Sequence, residues 1–227
     1  MSVESLERAV TCLRADPRID PARVGLLGTS AGGEAVMTLA STRPQLAPDV
    51  VIVVAGSSVV WQALVDGRPP AEPRYTLAGA DLPWAPVVSA KLMAQMLVEN
   101  PLRGLLHRRP ELHTLRAYAA GLEDERAAAA QLPAERIDAP LLLFAGAEDE
   151  VWPAARMARD IAARRGDRPD DRVVVFPGTG HISLRPPALP TTVLRSGELV
   201  FGGEPAAFAA AMSAVWSELL GFLDHRR

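Results

Sequence analysis

The sequence predicts an α/β fold, a mostly parallel β-sheet flanked by helices, and three observations carry that prediction. Apolar runs at Val24–Leu27, Val50–Ala55, Leu141–Ala145 and Val173–Phe176 are continuous rather than alternating, as expected of strands covered on both faces. Stretches at helical spacing separate them. With 227 residues, 48% hydrophobic and 22% charged, the chain is long and apolar enough to bury a core, which excludes a disordered polymer. Residues 1–227 read as one domain.

In chain order, Val3, Leu6, Val10 and Leu13 recur on one face of an opening helix that Asp20-Pro21 ends. Val24–Leu27 runs into Gly28, and Ala31–Ser41 follows with good helix formers, so this region reads as strand, sharp turn, helix. After the strand at Val50–Ala55, residues from about Gln62 to Arg136 break the rhythm. They are proline-rich at Pro69, Pro70, Pro73, Pro83 and Pro86, then alanine-rich and helical around Glu123–Gln131. An insertion at the C-terminal ends of parallel strands lies where such sheets bind ligands, so a substrate-shaping cap is expected, with a plain surface excursion as the alternative. A helix starts at Pro153, with Met157 and Ile161 on one face, and a closing helix starts at Pro205, with Phe208, Met212, Val215, Leu219 and Phe222 packing on the sheet.

Composition narrows function. A formal charge of −3, from 24 basic and 27 acidic residues, lacks the cationic excess that nucleic-acid binding demands. The single cysteine, Cys12, excludes a disulfide within the chain and any multi-thiolate metal site; it suits a reducing compartment, the cytoplasm by default, and reads as a small buried hydrophobe. No His or Cys pair stands at metal-ligand spacing. The opening MSVESLERAV lacks a basic and then apolar secretion signal, and Val50–Trp61 falls short of the ~20 residues a membrane helix needs, so neither secretion nor a membrane span is expected.

Gly28-Thr29-Ser30-Ala31-Gly32 places a Gly-x-Ser-x-Gly motif between predicted strand and helix. A nucleophile on so sharp a turn needs small neighbours, and the helix N-terminus behind it favours developing negative charge. A serine hydroxyl also needs a base, and the base an acid to orient it. Asp149 and His181 each lie just past an apolar strand, on the same sheet edge as Ser30. The order Ser30, Asp149, His181 is that of α/β-hydrolases. Ala31 N–H would stabilise the oxyanion. The plainer alternatives are a helix N-cap for Ser30, a cap of the helix near Pro153 for Asp149, and a backbone-satisfied loop histidine for His181. Glu148 and Glu150 are the fallback acids, and His107, His113 and His225 are expected to be non-catalytic.

The segments VGLLGTSAGGEAVMTLAS, VVIVVAGSSVVW, LLLFAGAEDEVWP, FPGTGHISLRPPALP and FGGEPAAFAAAMSAVWSELLGFL together resemble the C-terminal domain shared by acyl-CoA thioesterases and bile acid-CoA:amino acid N-acyltransferases. The resemblance implies an α/β-hydrolase fold, acyl thioester substrates, most simply acyl-CoA, and no dissociable cofactor, with Ser30 as nucleophile, Asp149 as acid and His181 as base. In this family cysteine at the nucleophile position goes with acyl transfer and serine with hydrolysis, so Ser30 favours hydrolysis; Cys12 is excluded as nucleophile by position. A carboxylesterase or peptidase of the same fold, or a catalytically weak half-domain acting through a partner, are the alternatives.

One departure stands out. The family's domain is normally preceded by a sandwich domain and by the first strands of the hydrolase sheet, and neither is recognisable here. The second oxyanion donor, from the loop after the third hydrolase strand, therefore has no counterpart, a loss of ~2.7–4 kcal/mol of transition-state stabilisation. The Ser30 strand would become an exposed apolar edge, which predicts a homodimer, a partner chain or a natural start upstream of Met1.

Overall fold

The computed structural model describes residues 1–64, 72–87, 90–182 and 194–224. Pro69, Pro70, His225 and most of the segment following His181 lie outside those residues. Helix α1 (Val3–Ala15) buries Val3 and Val10, while Leu13, at the outer end of the same stripe, is half exposed. Cys12 is exposed rather than buried, because two residues past Val10 the helix has turned away from its packed face. Strand β1 (Leu26–Thr29) starts two residues later than the apolar run, and α2 (Ala31–Thr42) follows after one residue, Ser30. Strand β2 (Val51–Val54) is buried along its whole length.

The stretch between about 62 and 136 carries a hairpin, β3 (Thr76–Leu77) and β4 (Ala80–Asp81), whose two-residue turn Ala78-Gly79 has both φ angles positive, at 52° and 78°. That is the turn geometry matching the twist of a tight hairpin. Helix α3 (Ala90–Ala94) runs through a π-helical turn, Gln95–Glu99, into α4 (Asn100–Leu105), and α5 (Leu115–Leu122) follows. The alanine-rich stretch expected to be helical around Glu123–Gln131 forms only a short 3-10 turn, Glu125–Ala127. There the Asp124 side chain accepts from Arg126 N–H and starts a tight turn, and Pro133 lies too close for a helix to develop.

Strand β5 (Leu141–Gly146), helix α6 (Ala154–Arg165), strand β6 (Arg172–Phe176), hairpin β7 (Arg195–Ser196) and β8 (Leu199–Val200), and helix α7 (Pro205–Asp224) complete the described chain. The main sheet is parallel, in the order β1-β2-β5-β6, with Thr29, Val54, Phe144 and Val174 in register. Helices α2 and α6 both pack on the turn Ala134–Arg136, and α2 crosses the sheet face that carries Gly28 and Val53. Helix α7 covers the opposite face, where Leu223 lines a groove with Leu27 and Ile52. It is also long and apolar enough by composition to cross a membrane, yet it buries Phe208, Ala211, Met212, Val215 and Leu219 against the protein.

The outer strands differ from the inner ones. Val51–Val54 and Leu141–Phe144 are each at most 3% exposed, a burial that contributes about 1.5–3 kcal/mol per large side chain. Strand β6, expected to be covered on both faces, is an outer strand with Val173 exposed, and on the other rim Leu27 of β1 is 45% exposed. Arg165 is buried: it pairs with Asp171 at 2.5 Å and donates to the carbonyls of Ala134, Ile137 and Ala139.

Candidate active site

All four main strands point their C-terminal ends at one rim of the sheet, where Ser30, Asp149 and His181 lie. Ser30 joins β1 to α2 with φ 56° and ψ −123°, a backbone conformation that an L-residue holds only under strain. Its N–H donates to Val54 O at 2.8 Å and its carbonyl accepts from Glu34 N–H at 3.1 Å, so strand and helix each pin one side of the residue. A Cβ on Gly28 would stand 2.1 Å from Gly32 O, so the strand and the returning helix pass too closely for a side chain. Ser30 occupies the N-cap position of α2, yet its side chain makes no capping hydrogen bond. The hydroxyl turns outward instead, 2.9 Å from His181 Nε2.

Asp149 follows β5 and is 4% exposed. Its Oδ1 accepts from Val151 N–H at 2.8 Å and Trp152 N–H at 3.1 Å, while Oδ2 lies 2.7 Å from His181 Nδ1. Asp149 does not cap helix α6, whose N-cap position is Pro153 with no side-chain cap; one oxygen instead closes the turn at Val151-Trp152 and the other meets His181. An ionised carboxylate only accepts, so Nδ1 carries the histidine proton and Nε2 presents its lone pair to the Ser30 hydroxyl. His181, 5% exposed, is fixed by its own N–H on Phe201 O at 2.7 Å and sits between the rings of Trp152 and Phe201, with centroids at 5.8 and 5.7 Å. The Trp152 indole donates to Ala55 O at 3.1 Å, tying the acid loop back to the end of β2.

Ala31 opens α2, where the first N–H groups have no partner within the helix and the helix dipole is positive. The arrangement can therefore take a proton from a serine hydroxyl and meet a negative charge forming beside Ala31. Glu148 is exposed, and Glu150 faces His113 at 3.5 Å rather than His181. His113 bridges Glu150 and Glu111, and His107 is exposed. A cavity of about 540 Å³ opens beside Glu150 between α5 and the α3 helical segment, lined by Leu92, Gln95, His113, Leu115 and Arg116 among others. Sequence reasoning missed Glu34, Arg74 and Tyr75, which meet behind the Ser30 turn. The available signal was Glu34 itself, in register at i, i+3, i+4 and i+7 with the buried Met37, Thr38 and Ser41.

A parallel sheet between helices, with a strained strand-to-helix turn and these loops at its rim, defines an α/β-hydrolase fold. A complex of DcsB with its substrate analogue shares this fold at a TM-score of 0.51 and 12% identity, covering 99% of this chain and 71% of that one. The monoacylglycerol lipase of Paleococcus ferrophilus aligns at 0.48 and 17% identity, covering 98% and 76%. The family described as BAAT / Acyl-CoA thioester hydrolase C terminal matches residues 1–226, and the chain belongs to that family. Among relatives, mitochondrial acyl-coenzyme A thioesterase 2 of Mus musculus is 27% identical over 98% of this chain and 44% of its own length. Acyl-coenzyme A thioesterase 1 of Homo sapiens is 25% identical over 98% and 48%. The chain thus spans about half the length of these curated relatives.

Proposed function

We propose that the protein is a serine hydrolase of acyl thioesters, most simply of acyl-CoA. The hydrogen-bonded run from Ser30 Oγ through His181 to Asp149 carries this reading. Ser30 Oγ attacks the thioester carbonyl as its proton passes to His181 Nε2; Asp149 stabilises the imidazolium and the Ala31 N–H receives the oxyanion. The C–S bond breaks, the thiolate leaves with the proton from His181, and water then opens the acyl-enzyme with His181 as base. Membership of the family and the names of its relatives support a thioester, and serine rather than cysteine supports hydrolysis over transfer. The segment 62–136 shapes the substrate space, a role supported by the cavity beside Glu150.

Among the described residues β1 pairs with β2 alone, and a homodimer or partner chain pairing with β1 would cover that edge. We place the protein in a reducing compartment, the cytoplasm, on the strength of its single exposed thiol. The test is a fluorophosphonate, with the adduct mapped by intact and peptide mass spectrometry beside Ser30→Ala. A stoichiometric adduct on Ser30, absent from the variant, is expected; none on a cooperatively folded sample would overturn the reading. Comparing kcat/KM for acyl-CoA and simple esters separates a thioesterase from a carboxylesterase of the same fold.

A further inference from the structure

Glu34 plays no part in the reaction above, yet it is completely buried one helical turn beyond Ser30. A carboxylate in such a place is strongly disfavoured unless it is paired. Its Oε1 accepts from Trp61 N–H at 2.9 Å, and its Oε2 pairs with the Arg74 guanidinium. Both partners come from the segment beyond β2, where Arg74 N–H also donates to Trp61 O at 3.2 Å. Tyr75 follows Arg74 in the chain, and the phenols of Tyr75 and Tyr118 both feel the guanidinium's charge. The Tyr75 hydroxyl then reaches the carbonyl of Ala31, at 3.3 Å, from a side chain that is almost wholly buried. The buried ion pair and the phenol that follows it in the chain thus reach α2 together, the phenol ending on the residue whose N–H leads the helix. Burial, with the nearby Glu34 charge, holds the Tyr75 phenol above its ordinary value, so it stays protonated and able to donate.

We propose that Tyr75, next in the chain to the Arg74 that Glu34 anchors, is a positioning residue for the oxyanion site: it fixes the first turn of α2, and with it the aim of the Ala31 N–H. Strand β1 has a neighbour on one side alone among the described residues, so the strand leaves the turn less constrained than a central strand would. The tie from Tyr75 supplies constraint from the opposite direction. Donor geometry matters steeply where charge develops, so a small tilt of this peptide is felt in rate rather than in binding.

The inference rests on Ser30 acting as the nucleophile, and the experiment separates the two. The rate constant for fluorophosphonate labelling of Ser30, and kcat and KM for an acyl-CoA, are measured for the 227-residue chain and for Tyr75→Phe, Glu34→Gln and the double variant. Tyr75→Phe keeps the ring and removes only the hydroxyl, so it tests the idea even if Glu34→Gln fails to fold. Labelling and kcat are expected to fall roughly two- to ten-fold in Tyr75→Phe, the worth of one neutral hydrogen bond, with KM unchanged. If Glu34→Gln folds, the double variant loses no more than the larger single loss, as expected of one unit. A lowered melting temperature with unchanged labelling and kcat would show that the network only glues the cap to α2, and would overturn the proposal. A wild-type chain that folds and takes no label would overturn the reading of Ser30, and the proposal with it.

Discussion

Asp149 and His181 sit in loops that brace one another, whereas Ser30 hangs from a strand that, among the described residues, has a partner on one side. On the acid and base side, Ala147 N–H donates to Phe176 O, Glu148 N–H to Thr179 O, and both Glu150 and His181 N–H to Phe201 O. On the nucleophile side, β1 pairs with β2 and leaves Leu27 exposed, and beside its packing on the sheet α2 carries the buried Glu34–Arg74 ion pair. The same rim of one sheet therefore holds its functional groups by two means: backbone cross-bracing on one side, and on the other a buried ion pair reaching in from an insertion. Both sides use close main-chain approach, and the nucleophile side adds a buried charge pair.

The largest break in this comparison is expected from Asp149→Asn. The amide keeps the oxygen that Val151 and Trp152 N–H address, so the loop survives, but it donates to Nδ1 and leaves His181 in the wrong tautomer. A fall in kcat of about 10⁴-fold with folding intact is expected, read from thioester hydrolysis beside a circular dichroism melt.

The ion pair on the nucleophile side predicts a pH dependence. Burial pushes the Glu34 carboxyl from 4.5 up to about 7, although the Arg74 guanidinium and the Trp61 N–H pull it down. Tyr75 and Tyr118 are the other titratable groups facing it, and both phenols are raised by burial, which keeps them neutral. A folded-state value above the unfolded one means that the folded chain holds the proton more tightly. This contribution to stability is complete below about pH 4.5 and is lost as pH rises through about 7. Urea unfolding from pH 5 to 8.5 is expected to show wild type losing up to roughly 3 kcal/mol relative to Glu34→Gln, whose profile lacks that slope. Parallel profiles would remove the titration from Glu34.

Next in size is Gly180→Ala on the braced side. Its Cβ would stand 2.2 Å from the carbonyls of Phe201 and Gly202, so the loop carrying His181 must shift. A displacement on the order of 1 Å is worth roughly 100-fold in kcat, and single-turnover rates would measure it. Smallest is Leu27→Lys on the exposed edge, expected to change monomer stability by under about 0.5 kcal/mol while blocking strand pairing. Analytical ultracentrifugation of both chains reads the association; equal behaviour would show that β1 is not a pairing edge.

The four main strands, the turn at Ser30 and the long helices were legible because each is a local pattern: a continuous apolar run, a glycine bracket, a helical stripe. The loops bearing Asp149 and His181 were legible for the same reason, each following such a run. Contacts that depend on distant segments were not. Glu34 read as an ordinary helix residue because its partners, Trp61 and Arg74, lie across a proline-rich stretch that offers no period. The burial of Arg165 likewise depends on Asp171 and on the carbonyl of Ala134, 31 residues earlier in the chain. Alanine propensity favoured a helix around Glu123–Gln131, and the Asp124 side chain and Pro133 overrode it. Exposure of Val173 follows from strand order, which no single strand states.

The backbone at Ser30 sets durability against reactivity at one residue. Its φ of 56° lies where glycine sits at ease and serine does not. Selection for a more heat-resistant chain alone would drift toward glycine at this position, relaxing the turn and discarding the hydroxyl in the same step. Retaining serine there means accepting a fold slightly less robust than the same scaffold allows, which makes the least comfortable residue of the turn the one whose replacement should be sought first among stabilised, inactive descendants.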